Sequence, residues 1–205
     1  YEIGARGSGP GFTYDVSLYR ANLENEFQCL AVGTTGSCTQ INLDQSIHQG
    51  VELGFGVEIA SGLFAHGPRS DALWLHGAYT FSDFRFDDDP VFGNNELPGA
   101  PRHYVRAELL YKHPSGIYAG PNVEWVPEAY YADSDNSLDT KAYALLGAKI
   151  GYDAGGGVTG YIEGRNLTDE KYIASTNIAS YADAQSPLFE PGNGRAVYGG
   201  IEIKW

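Results

Sequence analysis

The chain has 205 residues, 42% of them hydrophobic, with 27 Gly, 15 Tyr and a formal net charge of −13, enough for one domain with a sizeable interior. Its 13 Lys and Arg are scattered, which excludes a nucleic-acid partner, because neutralising phosphates takes clustered cations. No run of about 18 apolar residues occurs, which excludes a membrane-spanning helix; a spanning β-strand needs only about ten alternating residues, so a mean hydropathy of −0.29 says nothing about it.

The opening "YEIGARG" has neither the basic nor the apolar region of a secretory signal, which is therefore expected elsewhere if it exists. Beyond it, period-two alternation recurs between turn clusters and helical periodicity is almost absent, so nine strands are expected. The first is a stub at 1–6. In the second, 12–27, Tyr14, Val16 and Leu18 oppose Asp15, Ser17 and Tyr19.

A polar Gly/Thr/Ser-rich loop at 28–45 holds Cys29 and Cys38, the chain's 2 cysteines. Two cysteines closing a short polar loop fit a disulfide made in an oxidising compartment such as the periplasm or cell surface; the alternative is a pair of free thiols. No His or further Cys stands beside them to complete a zinc site.

The third strand, 46–60, sets Val51, Leu53, Phe55, Val57 and Ile59 against Glu52, Gly54, Gly56 and Glu58. In the fourth, 72–86, Leu73, Leu75, Tyr79 and Phe81 oppose His76 and Thr80. The fifth, 102–113, has Val105, Ala107, Leu109 and Tyr111 against Tyr104, Arg106, Glu108 and Lys112. The sixth, 117–132, has Val123 and Trp125 against Asn122 and Glu124, and the seventh, 140–153, has Ala144, Leu146, Ala148, Ile150 and Tyr152 against Lys141, Tyr143 and Lys149. The eighth, 157–174, opposes Val158 and Ile162 to Tyr161, Glu163 and Arg165. The ninth, "AVYGGIEIKW", puts Val197, Gly199, Ile201, Ile203 and Trp205 on one side and Ala196, Tyr198, Gly200, Glu202 and Lys204 on the other.

Short connections at 7–11, 113–116 and 154–157, with a medium one at 65–71, fall at one end of these strands. Long ones at 28–45, 87–101, 133–139 and 175–194 fall at the other, the asymmetry of short periplasmic turns and long extracellular loops. The face carrying Glu52, Arg106, Glu108, Glu124, Lys149 and Glu163 holds too many charges for a dry interior, so it must be wet. The apolar face mixes Ala and Gly with Leu, Val and Ile and ends in rings such as Tyr111, Tyr152 and Trp205, as an interfacial girdle does. Strands longer than the usual five or six residues favour a membrane barrel over a soluble sandwich.

The fold class expected is all-β, a transmembrane antiparallel β-barrel. Nine is odd, whereas a bacterial single-chain barrel with both termini at the periplasm needs an even count, and an open sheet in lipid leaves unpaired edges. Residues 1–205 are thus expected to form the C-terminal portion, about nine strands, of a larger plugged barrel, truncated at its N-terminus.

A family resemblance supports this. "YIEGRNLTDEKYIAS" at 161–175 and "FEPGNGRAVYGGIEIKW" at 189–205 resemble the C-terminal end of TonB-dependent outer-membrane receptors. The family's Asn-Leu-x-Asp-x-x-Tyr pattern is matched by Asn166, Leu167, Asp169 and Tyr172; its Pro-Gly-x-Gly-Arg turn by Pro191, Gly192, Gly194 and Arg195; its terminal aromatic by Trp205. "HQGVELGFG" at 48–56 and "LPGAPRHYVRAELLY" at 97–111 are similar to family members too. The resemblance implies a barrel of about 22 strands closed by an N-terminal plug, set in the Gram-negative outer membrane among lipid and lipopolysaccharide. It implies import of a scarce solute with energy from the TonB complex, reached through an N-terminal region outside 1–205. The barrel-assembly machinery would read the last strand through Tyr198, Ile201, Ile203 and Trp205.

The expected function is active import of a bulky small-molecule chelate, a ferric siderophore first. Alternatives are a receptor of the same family for pyrroloquinoline quinone, cobalamin or copper, a passive porin-like or structural barrel, and a soluble adhesin-like domain. Ligand contacts are expected among Arg85, Arg102, His103, Tyr130, Tyr131, Arg165 and Arg195, since Arg and Tyr suit an anionic or aromatic chelate through charge-assisted bonds and stacking. The alternative is that inward Arg and Glu satisfy one another across the wall.

Other motifs carry less. "FDDDP" at 86–90 offers carboxylates to calcium, but no Gly-spaced ligand pattern follows and a solvated loop tip is preferred. Asn166-Leu167-Thr168 matches a glycosylation sequon but lies in an expected strand. "GSGPG" and "AGGG" read as hairpin turns, since no helix follows to hold an anion. His48, His66, His76, His103 and His113 show no ligand spacing, no metal or cofactor is expected, and no nucleophile or acid–base set marks an enzyme.

Overall fold

The computed structural model describes residues 1–32, 37–67, 69–183 and 185–204. Among them lie thirteen strands: β1 (Glu2–Gly9), β2 (Phe12–Glu24), β3 (Phe27–Val32), β4 (Ser37–Asn42), β5 (Gln45–Ser61), β6 (Ala72–Phe86), β7 (His103–Lys112), β8 (Ile117–Val126), β9 (Tyr143–Gly155), β10 (Val158–Arg165), β11 (Ile173–Thr176), β12 (Phe189–Pro191) and β13 (Ala196–Ile203). No helix occurs among the described residues. Nine strands make one open antiparallel sheet in the order β1-β2-β5-β6-β7-β8-β9-β10-β13, while β3-β4 and β11-β12 are separate two-stranded ribbons. The chain is an all-β, up-and-down portion of a barrel wall.

All nine expected strands are members of that sheet, with shifted ends. β2 stops at Glu24 and β10 at Arg165 because Asn25 and Asn166 follow with φ of 56° and 49°, a left-handed conformation that Asn tolerates better than most side chains. β8 ends at Val126, ahead of Pro127, which has no N–H for a ladder. The stub at 1–6 is longer than expected: Gly7 and Gly9 belong to β1, and the rings of Tyr14 and Phe12 fill the space where their Cβ atoms would stand. The expected loops at 28–45 and 175–194 hold short strands of their own. Cys29 and Cys38 are joined as a disulfide across the β3-β4 ribbon, Cα atoms 5.5 Å apart.

Register makes the two faces continuous. Ala5, Val16, Leu53, Tyr79, Val105, Trp125 and Ala144 stand opposite one another in a single row across seven strands. One step along, Asp15, Gly54, Ala78, Arg106 and Glu124 form a row on the other face. The greasy face is not covered by protein: Leu146, Ile150, Ile162 and Ile201 on it are 47%, 56%, 57% and 77% exposed. Apolar surface of that extent is unfavourable in water by roughly 25 cal/mol for each Å², so this face has the character of a lipid-facing wall.

The buried apolar side chains sit mostly where the long connections gather. Leu43, Phe86 and Leu97 form a core with Ile41, Phe84 and Phe92 against it. The connections there are tied to one another: the Ala31 N–H donates to Ile178 O at 2.6 Å, Gly99 N–H to Tyr131 O at 2.8 Å and Ser134 N–H to Ala179 O at 2.9 Å. Loops from four different hairpins thus form one cap.

Candidate functional site

The charged face of β7 to β10 encloses a cavity of about 500 Å³ with Arg106, Glu124, Lys149, Glu163 and Arg165 in its wall. Opposite charges stand beside each other on this face, across one strand boundary, across β8 and along β10. Arg106 meets Glu124 at 3.1 Å, Lys149 meets Glu108 at 2.8 Å and Arg165 meets Glu163 at 3.0 Å. Arg165 also lies over the Tyr198 ring, 5.0 Å from its centroid. Such half-hydrated pairs are each worth about 1 kcal/mol or less. Their effect is to leave a wet wall whose charges are mutually balanced.

Above the cavity, the two C-terminal motifs grip each other. Asn166, 4% exposed, donates from Nδ2 to Glu170 O and Asn193 O, both at 3.0 Å, and accepts from Glu170 N–H at 2.8 Å. Asp169 accepts from Arg195 N–H at 3.3 Å and pairs with Lys171 at 3.2 Å; the Lys171 and Arg195 contacts hold its carboxyl below the usual range. The Tyr172 ring lies where a Cβ at Gly192 would be, and packs on Tyr143 with centroids 4.7 Å apart. The spacing of the Asn, Asp and Tyr in one motif and the glycines in the other is therefore a fit between two turns.

The expected ligand residues fall into three groups. Arg165 and Arg195 belong to this motif region, Arg165 paired to Glu163 and Arg195 exposed. Arg102 pairs with Glu96 at 3.3 Å and Asp83 at 3.5 Å, and Arg85 bridges by backbone to Glu96. The Arg85 Nε is buried without a partner among the described residues. Tyr130 is buried, where burial raises its phenol above the ordinary value, and its N–H bonds Thr140 Oγ1 at 3.1 Å; Tyr131 bridges to Asp139. His103 stands apart: it is opposite Phe81 on the greasy face, 2.7 Å from the Tyr79 hydroxyl and 3.4 Å from Glu128.

The assembly-signal residues divide as well. Tyr198 faces the inner wall under Arg165, Ile201 and Ile203 face outward, and Trp205 lies outside the described residues. In "FDDDP", Asp89 accepts from the Val91 and Phe92 N–H groups at 2.8 and 2.9 Å, and Asp88 accepts from Asn94 at 3.0 Å, so two of the carboxylates shape the turn.

Two features were missed from sequence. At the upper inner wall His48 stacks on Phe84 at 4.5 Å, and both His48 and Ser46 meet Glu26, at 3.0 and 2.6 Å. In the cap, fully buried Asp133 accepts from Ser137 N–H and Oγ–H, Leu138 N–H and Ala182 N–H at 2.9, 2.6, 2.9 and 3.2 Å. Asn136, at φ 57°, donates to Glu96 O and accepts from Glu96 N–H. The signal available was the Asp-x-x-x-Ser and turn-favouring Asn pattern of "DSDNS", but not the partners across loops.

Residues 1–167 match the family described as TonB dependent receptor-like, beta-barrel. The chain is 27% identical over 192 residues to a ferrioxamine B receptor of Salmonella typhimurium, covering 88% of this chain and 25% of that protein. It shares its fold with the ferric yersiniabactin uptake receptor FyuA of Yersinia pestis, at a TM-score of 0.69 and 20% identity, over 99% of this chain and 29% of that one. The copper transporter OprC superposes at 0.71 and 16% identity, over 98% and 30%. The chain thus spans about a quarter of the length of the curated relative it matches. With its greasy open face, balanced inner wall and interlocked outer loops, this chain belongs to the TonB-dependent receptor β-barrel family.

Proposed function

We propose that this chain forms the C-terminal wall of an outer-membrane receptor that imports a ferric siderophore by TonB-driven transport. The observation that supports the reading most is the two-faced sheet: a face of half-exposed Leu, Ile and Val suited to lipid, backed by a face of paired charges suited to a hydrated lumen. The relative with curated function is named for ferrioxamine B, which favours an iron chelate as cargo. In this reading Arg102 and Tyr131 in the cap, and exposed Arg195 at the motif turn, meet the chelate first, while Ile201 and Ile203 of β13, with Trp205, present the assembly signal.

The test is uptake of radiolabelled ferric hydroxamate by cells expressing the full-length receptor, with and without TonB. TonB-dependent accumulation is the expected result. Uptake indifferent to TonB, together with steady large currents from the full-length protein in a planar bilayer, would instead establish a passive pore.

A further inference from the structure

The connection from β5 to β6 differs from the other three at the short-turn end of the sheet. Those are tight hairpins, whereas this one runs from Gly62, at φ 66°, to Asp71. Three successive backbone N–H groups converge on the Asp71 carboxylate: Leu63 on Oδ1 at 2.7 Å, Phe64 and Ala65 on Oδ2 at 2.8 and 3.2 Å. The Tyr111 hydroxyl donates a fourth bond, at 2.6 Å. Asp71 itself is fully buried.

A carboxylate gripping three consecutive amides fixes the direction of the side chains they carry. The first two of those side chains point away from the protein. Leu63 is 45% exposed and Phe64 80%, the Phe64 ring touching the protein edge-on at Tyr111, 5.9 Å between centroids. Rigid presentation of two large apolar groups is unfavourable in water, and a flexible turn would tuck them in. Tyr111 identifies the surroundings. It stands in one row with Leu73 and Ala119 on the greasy face, so the Leu63–Phe64 patch prolongs the lipid-facing surface past the ends of the strands. Exposed His66 and Arg69 follow in the same turn, and aromatic rings beside basic groups are the composition that suits a lipid headgroup boundary.

We propose that the turn between Gly62 and Asp71 is a membrane anchor seated on the phospholipid leaflet at the short-turn end of the barrel. Leu63 and Phe64 enter the acyl boundary beside Tyr111, Arg69 reaches the lipid phosphates, and Asp71 is the positioning residue that holds the wedge in shape. The anchor rests on the reading of the apolar face as lipid-facing, and it adds a contact that the alternating strands do not supply.

The experiment uses the full-length receptor in phosphatidylcholine vesicles with and without acyl-chain bromines. Trp emission is read as the difference between each variant and the parent protein. Phe64→Trp reports the anchor, Leu63→Trp provides a second reporter should the first disturb folding, and Ile150→Trp reports the open face of the sheet. Loss of emission in brominated vesicles for all three is the expected result, and Asp71→Asn in the Phe64→Trp background should weaken the loss. Quenching of Ile150→Trp alone, with the turn reporters open to aqueous iodide, overturns the anchor and spares the lipid-facing sheet. Turn reporters shielded from both quenchers would mean that protein covers the patch, which also overturns the anchor. No bromine quenching at any site defeats the membrane reading itself.

Discussion

In the sheet, large apolar side chains such as Ile162 and Ile201 stand open and polar ones such as Lys149 and Glu108 meet in the half-hydrated interior; in the loop cap, Phe86 and Leu97 are buried and acidic residues crowd the outside. One chain therefore carries two opposite burial rules. The cap is built like a small soluble protein, with a core and buried hydrogen-bond knots, because water surrounds it. The sheet needs no core of its own where hydrocarbon solvates its outer face and backbone ladders pair each strand between β1 and β13 on both sides.

The contrast can be broken by core deletions. Phe86→Ala removes a fully buried ring packed 5.2 Å from Phe92 and is expected to cost about 3–5 kcal/mol of stability. Ile162→Ala, on the open face, should cost well under half as much. Urea unfolding of the full-length receptor compares them, and equal losses would refute the two-rule description.

The next largest effect comes from charge on the greasy face. Ile150→Arg is expected to destabilise by about 2–4 kcal/mol if the site lies near the bilayer midplane. The loss should appear for protein folded into vesicles. A bilayer-folded variant as stable as the parent would take Ile150 out of the hydrocarbon.

Asn166→Ala removes two hydrogen bonds to Glu170 within the turn at 166–172 and one to Asn193 that joins it to the turn at 191–195, and about 2 kcal/mol is expected, since each buried backbone group left unpaired costs of the order of 1 kcal/mol or more. Its φ of 49° adds strain for Ala. Hydrogen exchange should rise at both turns together. A rise confined to 166–172 would show that the motifs are neighbours without being coupled.

The smallest effect is a pH dependence of one turn. Burial works to raise the Asp71 carboxyl, but the Tyr111 hydroxyl and the Phe64, Leu63 and Ala65 amides outweigh it and hold it at about 2 against an ordinary 3.8. A depressed value means that the charged form stabilises the folded turn: the contribution is complete above about pH 4 and is lost as pH falls toward 2. Limited proteolysis at 62–71 across that range should show the turn opening at the acid end, and Asp71→Asn should flatten the response.

Much of this was legible in the residues. Val51 to Ile59 alternates without interruption and became the centre of β5; "FDDDP" read as a loop tip and is one. The short spacing of Cys29 and Cys38 left a disulfide and two free thiols both open, and the structure joins them; the β3-β4 ribbon around them was not expected, because six-residue alternations in a polar loop resemble noise. His103 shows the limit most plainly. Its residue type suggests a ligand, yet β7 begins at that position, and the register with Phe81 turns it to the outer face.

What the sequence determined by itself were the nine strands of the large sheet, their two faces and the division between short-turn and long-loop ends. Those are local properties: side chains alternate by the geometry of an extended chain, and charge on one face forces water there. The tertiary structure alone decided which charges pair, how Asn166 meets a carbonyl 27 residues away and how Asn136 reaches Glu96 across 40. Such contacts depend on register and on the packing of separate loops, which the spacing of residues within any single stretch does not encode.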